Sequence, residues 1–332
     1  MTCRHRNFVA PFVLFAVLLA LSTAGVAQAQ PHYIAAFFVD AQHGWLTGSD
    51  GSGKVAIWAT STGGRTLKRQ SAHMGAGSGN CLLAFAGRTR GLWADDTGLR
   101  RTTNEGARWM PVSQPGLGVL RDLGLADAKV GWATGAFGSD GAGGVVSRST
   151  DGGATWRSVK TVHDHPGGNE LGSLSCPSPQ ICYVLGSGSL NGLWVTSDGG
   201  RRWAKRALPH IPASEWYGSI EFPTRRVGWI LGGNGVIAKT SDGGASWKRQ
   251  ASRTTQRITG ACFISSRVGF AVGDEGAILR TVDGGSHWES QDVGGDSGFE
   301  DVFFVDRLHG WAVGYDVRMR TTDGGDTWTQ LR

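Results

Sequence analysis

The chain has 332 residues, with 33 Lys plus Arg against 27 Asp plus Glu and a net charge of +6 with histidine neutral. So small an excess lacks the clustered basicity of a nucleic-acid binder and leaves only a weak preference for anionic partners. The 53 glycines and 14 tryptophans, without a collagen period, point to many tight turns joining short strands.

The first predicted element is a leader. Arg4 and Arg6 precede the apolar run "FVAPFVLFAVLLALSTAG", and "AQA" at 27–29 supplies small residues where a signal peptidase cuts. Cys3 lies upstream of that run, so no lipoprotein box follows the cleavage site. Residues 1–29 are therefore read as a cleaved export signal and 30–332 as the mature, periplasmic or secreted domain. Without Arg4 and Arg6 the charge excess falls to +4. No later segment has the length of a transmembrane helix.

From "HYIAAFFV" onward the chain repeats itself. Five boxes share Ser or Thr, any residue, Asp, any, Gly, two residues, Trp: "STDGGATW" at 149, "TSDGGRRW" at 196, "TSDGGASW" at 240, "TVDGGSHW" at 281 and "TTDGGDTW" at 321. "TTNEGARW" at 102 has Asn104 for Asp, and "TSTGGRTL" at 60 has Thr62 and Leu67 for Asp and Trp. Upstream of each box an apolar strand, a short loop and a "GW"-like pair recur. The paired positions are Phe38 and Trp45, Phe85 and Leu92, Leu125 and Trp132, Cys176 and Tyr183, Phe222 and Trp229, Phe263 and Phe270, Phe304 and Trp311, always 7 residues apart.

Seven registered units of about 43 residues match the length of a four-stranded propeller blade. In the last unit "EDVFFVD", "GWAVG", "VRMRTT" and "TWTQL" are the predicted strands, with the box as the final hairpin turn. Asp151, Asp198, Asp242, Asp283 and Asp323 are assigned a structural role, each carboxylate accepting backbone N–H groups inside its own turn. One carboxylate per box is too few for a calcium loop. The fold expected is all-β, a seven-bladed propeller of four-stranded antiparallel blades. A first strand near 32 and a fourth at the end imply a ring with no blade shared between the termini, closed by side-chain packing.

Beyond Cys3, four cysteines remain. "CPSPQIC" places Cys176 and Cys182 across a short loop, and an oxidising compartment favours a disulfide between them. Cys81 and Cys262 fall in distant units and read as buried apolar side chains.

The "GWAVG", "AILRTVDGG" and "TTDGGDTW" segments resemble the photosystem II stability/assembly factor family of Asp-box propellers, over 32–332. The resemblance implies an exported, non-enzymatic propeller that binds a protein partner, in photosynthetic members as an assembly chaperone for a membrane protein. Asp boxes also occur in sialidases and other glycoside hydrolases, and a carbohydrate-active enzyme or glycan-binding module is the alternative. Against it, "HIPAS" at 210 lacks the arginine of a sialidase motif, and none of the four tyrosines sits beside a glutamate in a recognisable frame.

Basic residues recur in two registers. Arg101, Arg148, Lys239, Arg280 and Arg320 directly precede boxes, while Lys129, Arg225, Arg226, Arg267 and Arg307 lie between first and second strands. Both registers emerge on one face of a propeller, and the family's arginine-rich patch is matched to them. Arg101, Arg148, Lys239, Arg280, Arg307 and Arg320 form the expected partner-binding set, for an acidic segment of a protein such as a membrane protein. The alternative is an ordinary charged surface repeated with the unit. His163, His165 and Glu170 in "VHDHPGGNE" could ligate a metal, but a solvated connection between blades is the preferred reading. Trp216 and Tyr217 read equally as an exposed anchor or the start of a buried strand. No catalytic residue, cofactor or metal is assigned, and a monomer is expected.

Overall fold

The computed structural model describes residues 31–71, 81–113, 118–136, 143–163, 171–210, 216–291 and 293–331. The leader assigned to 1–29, along with His165 and Glu170, lies outside them. Seven separate four-stranded antiparallel sheets form, each from consecutive strands. They are blade 1 (32–71), blade 2 (82–112), blade 3 (120–163), blade 4 (171–206), blade 5 (217–250), blade 6 (258–291) and blade 7 (299–330). Only two single-turn 3₁₀ segments, Gly188–Leu190 and Gly233–Gly235, interrupt the strands among the described residues. No helix there is long and apolar enough to cross a membrane.

The strands form where alternation meets β-branched and aromatic residues. The first three strands of blade 1, His32–Phe38, Gly44–Ser49 and Val55–Thr60, are nearly all buried, because a blade packs a neighbour on each face. Fourth strands such as Lys248–Gln250 and Glu289–Gln291 are short and exposed, which marks the outer edge of the ring. The first strands touch one another in succession around the molecule, and blade 7's first strand also contacts blade 1's. These strands therefore line the axis.

The core sits in the seams between blades. Its apolar clusters each draw on adjacent blades, for example Trp229, Ile258 and Phe263 at the seam of blades 5 and 6. The ring pairs separated by seven residues in sequence meet there. The second-strand ring of one blade stacks on the first-strand ring of the next: Trp45 on Phe85 at 3.8 Å, Tyr183 on Phe222 at 3.7 Å, Trp229 on Phe263 at 3.7 Å and Phe270 on Phe304 at 3.9 Å. The box tryptophan of the second blade then meets that first-strand ring edge-on, as Trp247 meets Phe222 and Trp288 meets Phe263. Each such contact adds about 0.5–1.5 kcal/mol to the burial of the rings themselves. The glycine of "GW" is dictated by the same packing, since a Cβ on Gly310 would lie 2.4 Å from the Phe304 ring.

The ring closes between blades 7 and 1 without a shared sheet. Trp311 stacks on Phe38 at 3.5 Å and donates its indole N–H to the Gly63 carbonyl at 2.9 Å. The backbone N–H of Ala36 donates to the Asp301 carboxylate at 3.0 Å, the Asp316 N–H to the Pro31 carbonyl at 3.3 Å, and His32 forms a single β-bridge with Tyr315. Closure thus combines the expected side-chain packing with a few backbone contacts that the sequence pattern did not suggest.

Candidate partner-binding face

Each box is a self-contained polar turn. In 149–156 the Asp151 carboxylate accepts the backbone N–H groups of Ala154 and Thr155, each at 2.9 Å, and the hydroxyl of Thr155 at 2.6 Å. The Ser149 hydroxyl accepts the Gly153 N–H at 2.8 Å. Asp198, Asp242, Asp283 and Asp323 repeat the pattern, accepting from the N–H four residues on. In the degenerate boxes Asn104 accepts from Arg108 and the Thr62 hydroxyl accepts from Thr66, so the turn survives both replacements. Partial burial pushes the Asp151 carboxyl up, but the hydrogen bonds from Thr155, Ser149 and Ala154 outweigh it and hold the group at about 2. Hydrogen bonds from Thr327 and Thr321 bring Asp323 to about 2 as well. Carboxylates so engaged have little capacity left for a ligand.

Box turns and the loops between first and second strands share one face. The first box glycine of a blade donates its N–H to that loop, as Gly152 does to Lys129 and Gly243 to Arg226. Here the expectation of a uniform basic rim is corrected. Where a cation precedes the box, it belongs to the third strand and reaches the next blade. In three blades it lies across from a second-strand tryptophan, in register with it, and covers the ring: Trp132 with Arg148, Trp229 with Lys239, Trp311 with Arg320. Arg148 lies 5.3 Å over Trp132 and Lys239 5.1 Å over Trp229. Arg101 donates to the Gly152 carbonyl at 2.8 Å and Lys239 to the Gly284 carbonyl at 2.9 Å. Arg148 reaches the Pro179 carbonyl at 3.4 Å, and Arg280 pairs with Asp326 of blade 7. Arg320 is only 7% exposed, lies 5.8 Å over Trp311 and donates to the Ala41 carbonyl at 3.2 Å. Of the expected set, Arg307 alone is fully exposed; Arg320 is buried, and Arg101, Arg148, Lys239 and Arg280 are half-buried, each reaching across a seam between blades.

The loop cations keep their exposure. Lys129, Arg225, Arg226, Arg267 and Arg307 are all exposed on this face. Arg225 and Arg226 also border a cleft of about 800 Å³ between blades 4 and 5, within the usual range of ligand pockets. Tyr183 and Val195 are buried in its floor, and Arg202 and Arg206 complete its basic edge. Arg206 donates to the Gly243 carbonyl, Arg226 to the Ser241 carbonyl at 3.3 Å, and the Tyr183 hydroxyl to the Arg225 carbonyl at 2.5 Å. Asp198 and Asp242 line the cleft too, with Asp198 Oδ1 and Asp242 Oδ1 accepting within their own boxes. Four guanidinium groups therefore outnumber two carboxylates, which suits an anionic group beside an apolar floor.

The remaining sequence candidates lie elsewhere. Cys176 and Cys182 are joined in a disulfide with Cα atoms 4.0 Å apart, closing the loop that carries Pro179. Cys81 and Cys262 are buried, and burial pushes the Cys81 thiol up to about 12. Trp216 is exposed on the opposite face, whereas Tyr217 is half-buried and opens a strand of blade 5. His163 ends the fourth strand of blade 3. Among the described residues no three His, Cys, Asp or Glu side chains converge on a metal position.

The family model described as "Photosynthesis system II assembly factor YCF48" matches residues 252–332, the last two blades. A solved structure of YCF48 bound to D1 peptide is 18% identical, with a TM-score of 0.69 over 89% of this chain and 92% of that one. YCF48 from Cyanidioschyzon merolae is 16% identical, with a TM-score of 0.67 over 90% of this chain and 98% of that one. The GH74 xyloglucanase from Xanthomonas campestris is 15% identical with a TM-score of 0.71; 92% of this chain is matched, against 55% of the enzyme. No curated protein matches the chain. The chain is thus a seven-bladed Asp-box propeller similar to the photosystem II assembly factors, and the solved structures share its fold.

Proposed function

We propose that this propeller, similar to YCF48 in its last blades and in its fold, is an exported protein-binding scaffold of the assembly-factor kind. Its partner presents an acidic segment, for instance from an envelope or membrane protein, to the face that carries the boxes. The observation that carries the reading is the convergence of Arg202, Arg206, Arg225 and Arg226 on one amphiphilic cleft. Two comparisons support it: the family model on blades 6 and 7, and the YCF48 structure that holds a D1 peptide. The xyloglucanase likeness extends over 55% of that enzyme and speaks for a common fold, not a common activity.

The test is a binding measurement with the Arg225→Ala, Arg226→Ala double variant. Both side chains are exposed, so the melting temperature should stay within about 1 °C of the parent. Affinity for an acidic peptide should fall about tenfold or more, and wild-type binding should weaken as salt rises. Unchanged affinity in the double variant, or turnover of xyloglucan by the wild type, overturns the proposal.

A further inference from the structure

The residue directly before a box decides how a seam is filled. Arg101, Arg148, Lys239, Arg280 and Arg320 send a long cation into the next blade. Blades 1 and 4 carry Ala59 and Val195 instead. Behind Ala59 the large Trp45 indole and Gln70 both donate to the Glu105 carbonyl, at 3.3 and 2.8 Å, so that the seam of blades 1 and 2 is bridged twice. Behind Val195 the second-strand ring is Tyr183, smaller than an indole, and its hydroxyl is turned to the Arg225 carbonyl, leaving Arg206 to bridge to the Gly243 carbonyl. The space that a Lys239-like side chain fills one blade further on is here the part of the cleft that lies over Tyr183.

We infer that Val195 opens this cleft and thereby sets where on the ring an acidic segment can seat. The inference rests on the binding role proposed above, and it predicts the opposite sign from charge alone. Val195→Lys adds a cation beside four arginines. If binding were governed by net charge on this face, affinity would rise. If an open, apolar-floored cleft is needed, the new side chain will cover Tyr183 and donate to the Gly243 carbonyl, as Lys239 does over Trp229 to Gly284. Binding should then be lost.

The experiment measures fluorescence anisotropy of a labelled peptide alternating glutamate with leucine, on the full chain, with wild type, Val195→Lys and Val195→Ala. Val195→Lys should weaken binding about tenfold or more, and far more than Val195→Ala, which trims the floor without covering it. A crystal structure of Val195→Lys should show the introduced ammonium in the seam, over the Tyr183 ring. Equal or tighter binding by Val195→Lys overturns the inference, as does a crystal structure in which Tyr183 stays uncovered. A wild-type chain that ignores the peptide refutes the binding reading, and the crystal structure then still decides what Val195 does.

Discussion

Arg320→Ala tests whether the cations before the boxes brace the ring. The guanidinium is 7% exposed, covers Trp311 at 5.8 Å and donates across the closing seam to Ala41 at 3.2 Å. A hydrogen bond from a charged group contributes about 1.5–3 kcal/mol, and a desolvated cation–π contact about 0.5–2 kcal/mol. One side chain makes both, so they do not simply add, and truncation should cost about 2–4 kcal/mol. At roughly 2–4 °C per kcal/mol for a domain of a few hundred residues, the melting temperature should drop by about 4–16 °C. Differential scanning calorimetry checks this, with Arg307→Ala as control. Arg307 is exposed, and its loss should shift the midpoint by no more than about 1 °C. If Arg320→Ala melts with the control, the bracing role is wrong and the residue belongs with the surface cations after all.

Acid should unfold the chain through its boxes. Asp151 and Asp323 sit at about 2 in the folded state, below the ~3.9 of an unfolded aspartate. Their stabilisation is therefore complete above about pH 4 and lost as pH falls toward 2, and urea midpoints that stay level from pH 6 to pH 2.5 would contradict this. Replacing Cys176 and Cys182 together by alanine opens a loop of sequence separation 6; chain-entropy arguments put the loss at about 2 kcal/mol, readable as a shifted denaturant midpoint. Gly153→Ala combines φ +84° with a Cβ 2.5 Å from the Leu92 side chain. It should destabilise by about 2–4 kcal/mol, and a variant as stable as the parent would refute the strain argument.

The fold was legible because its repeating contacts are written at fixed spacings. Phe222 and Trp229 sit seven apart in sequence because each supplies one ring to a different seam. The box was legible because its donors and acceptors lie within five residues of one another, as Ser149 to Gly153 shows. The destination of the cations was not, because their partners lie a blade away: Lys239 and Gly284 are 45 residues apart, Arg101 and Gly152 51. A usable signal existed, since Arg148, Lys239 and Arg320 lie directly across from tryptophans in the neighbouring strand. The cleft was less accessible still. It depends on what Val195 and Tyr183 fail to fill, and on Arg202 and Arg206 from a segment whose sequence varies from unit to unit. Divergence from the repeat, rather than the repeat itself, marks that site.

The closing seam has one more implication. Trp311 on Phe38 and Arg320 on Ala41 repeat, across a gap in the backbone, the relation that chain-linked neighbours have elsewhere. A blade offers its second-strand ring and its cation on one side and its first-strand ring and box carbonyl on the other. Such a surface is head-to-tail: a copy fits against itself, and successive copies either curl shut or grow without limit. Here the rotation per blade closes after seven. The connecting peptides order the blades but do not specify the ring, which has the symmetry logic of a cyclic oligomer whose subunits happen to be tied together.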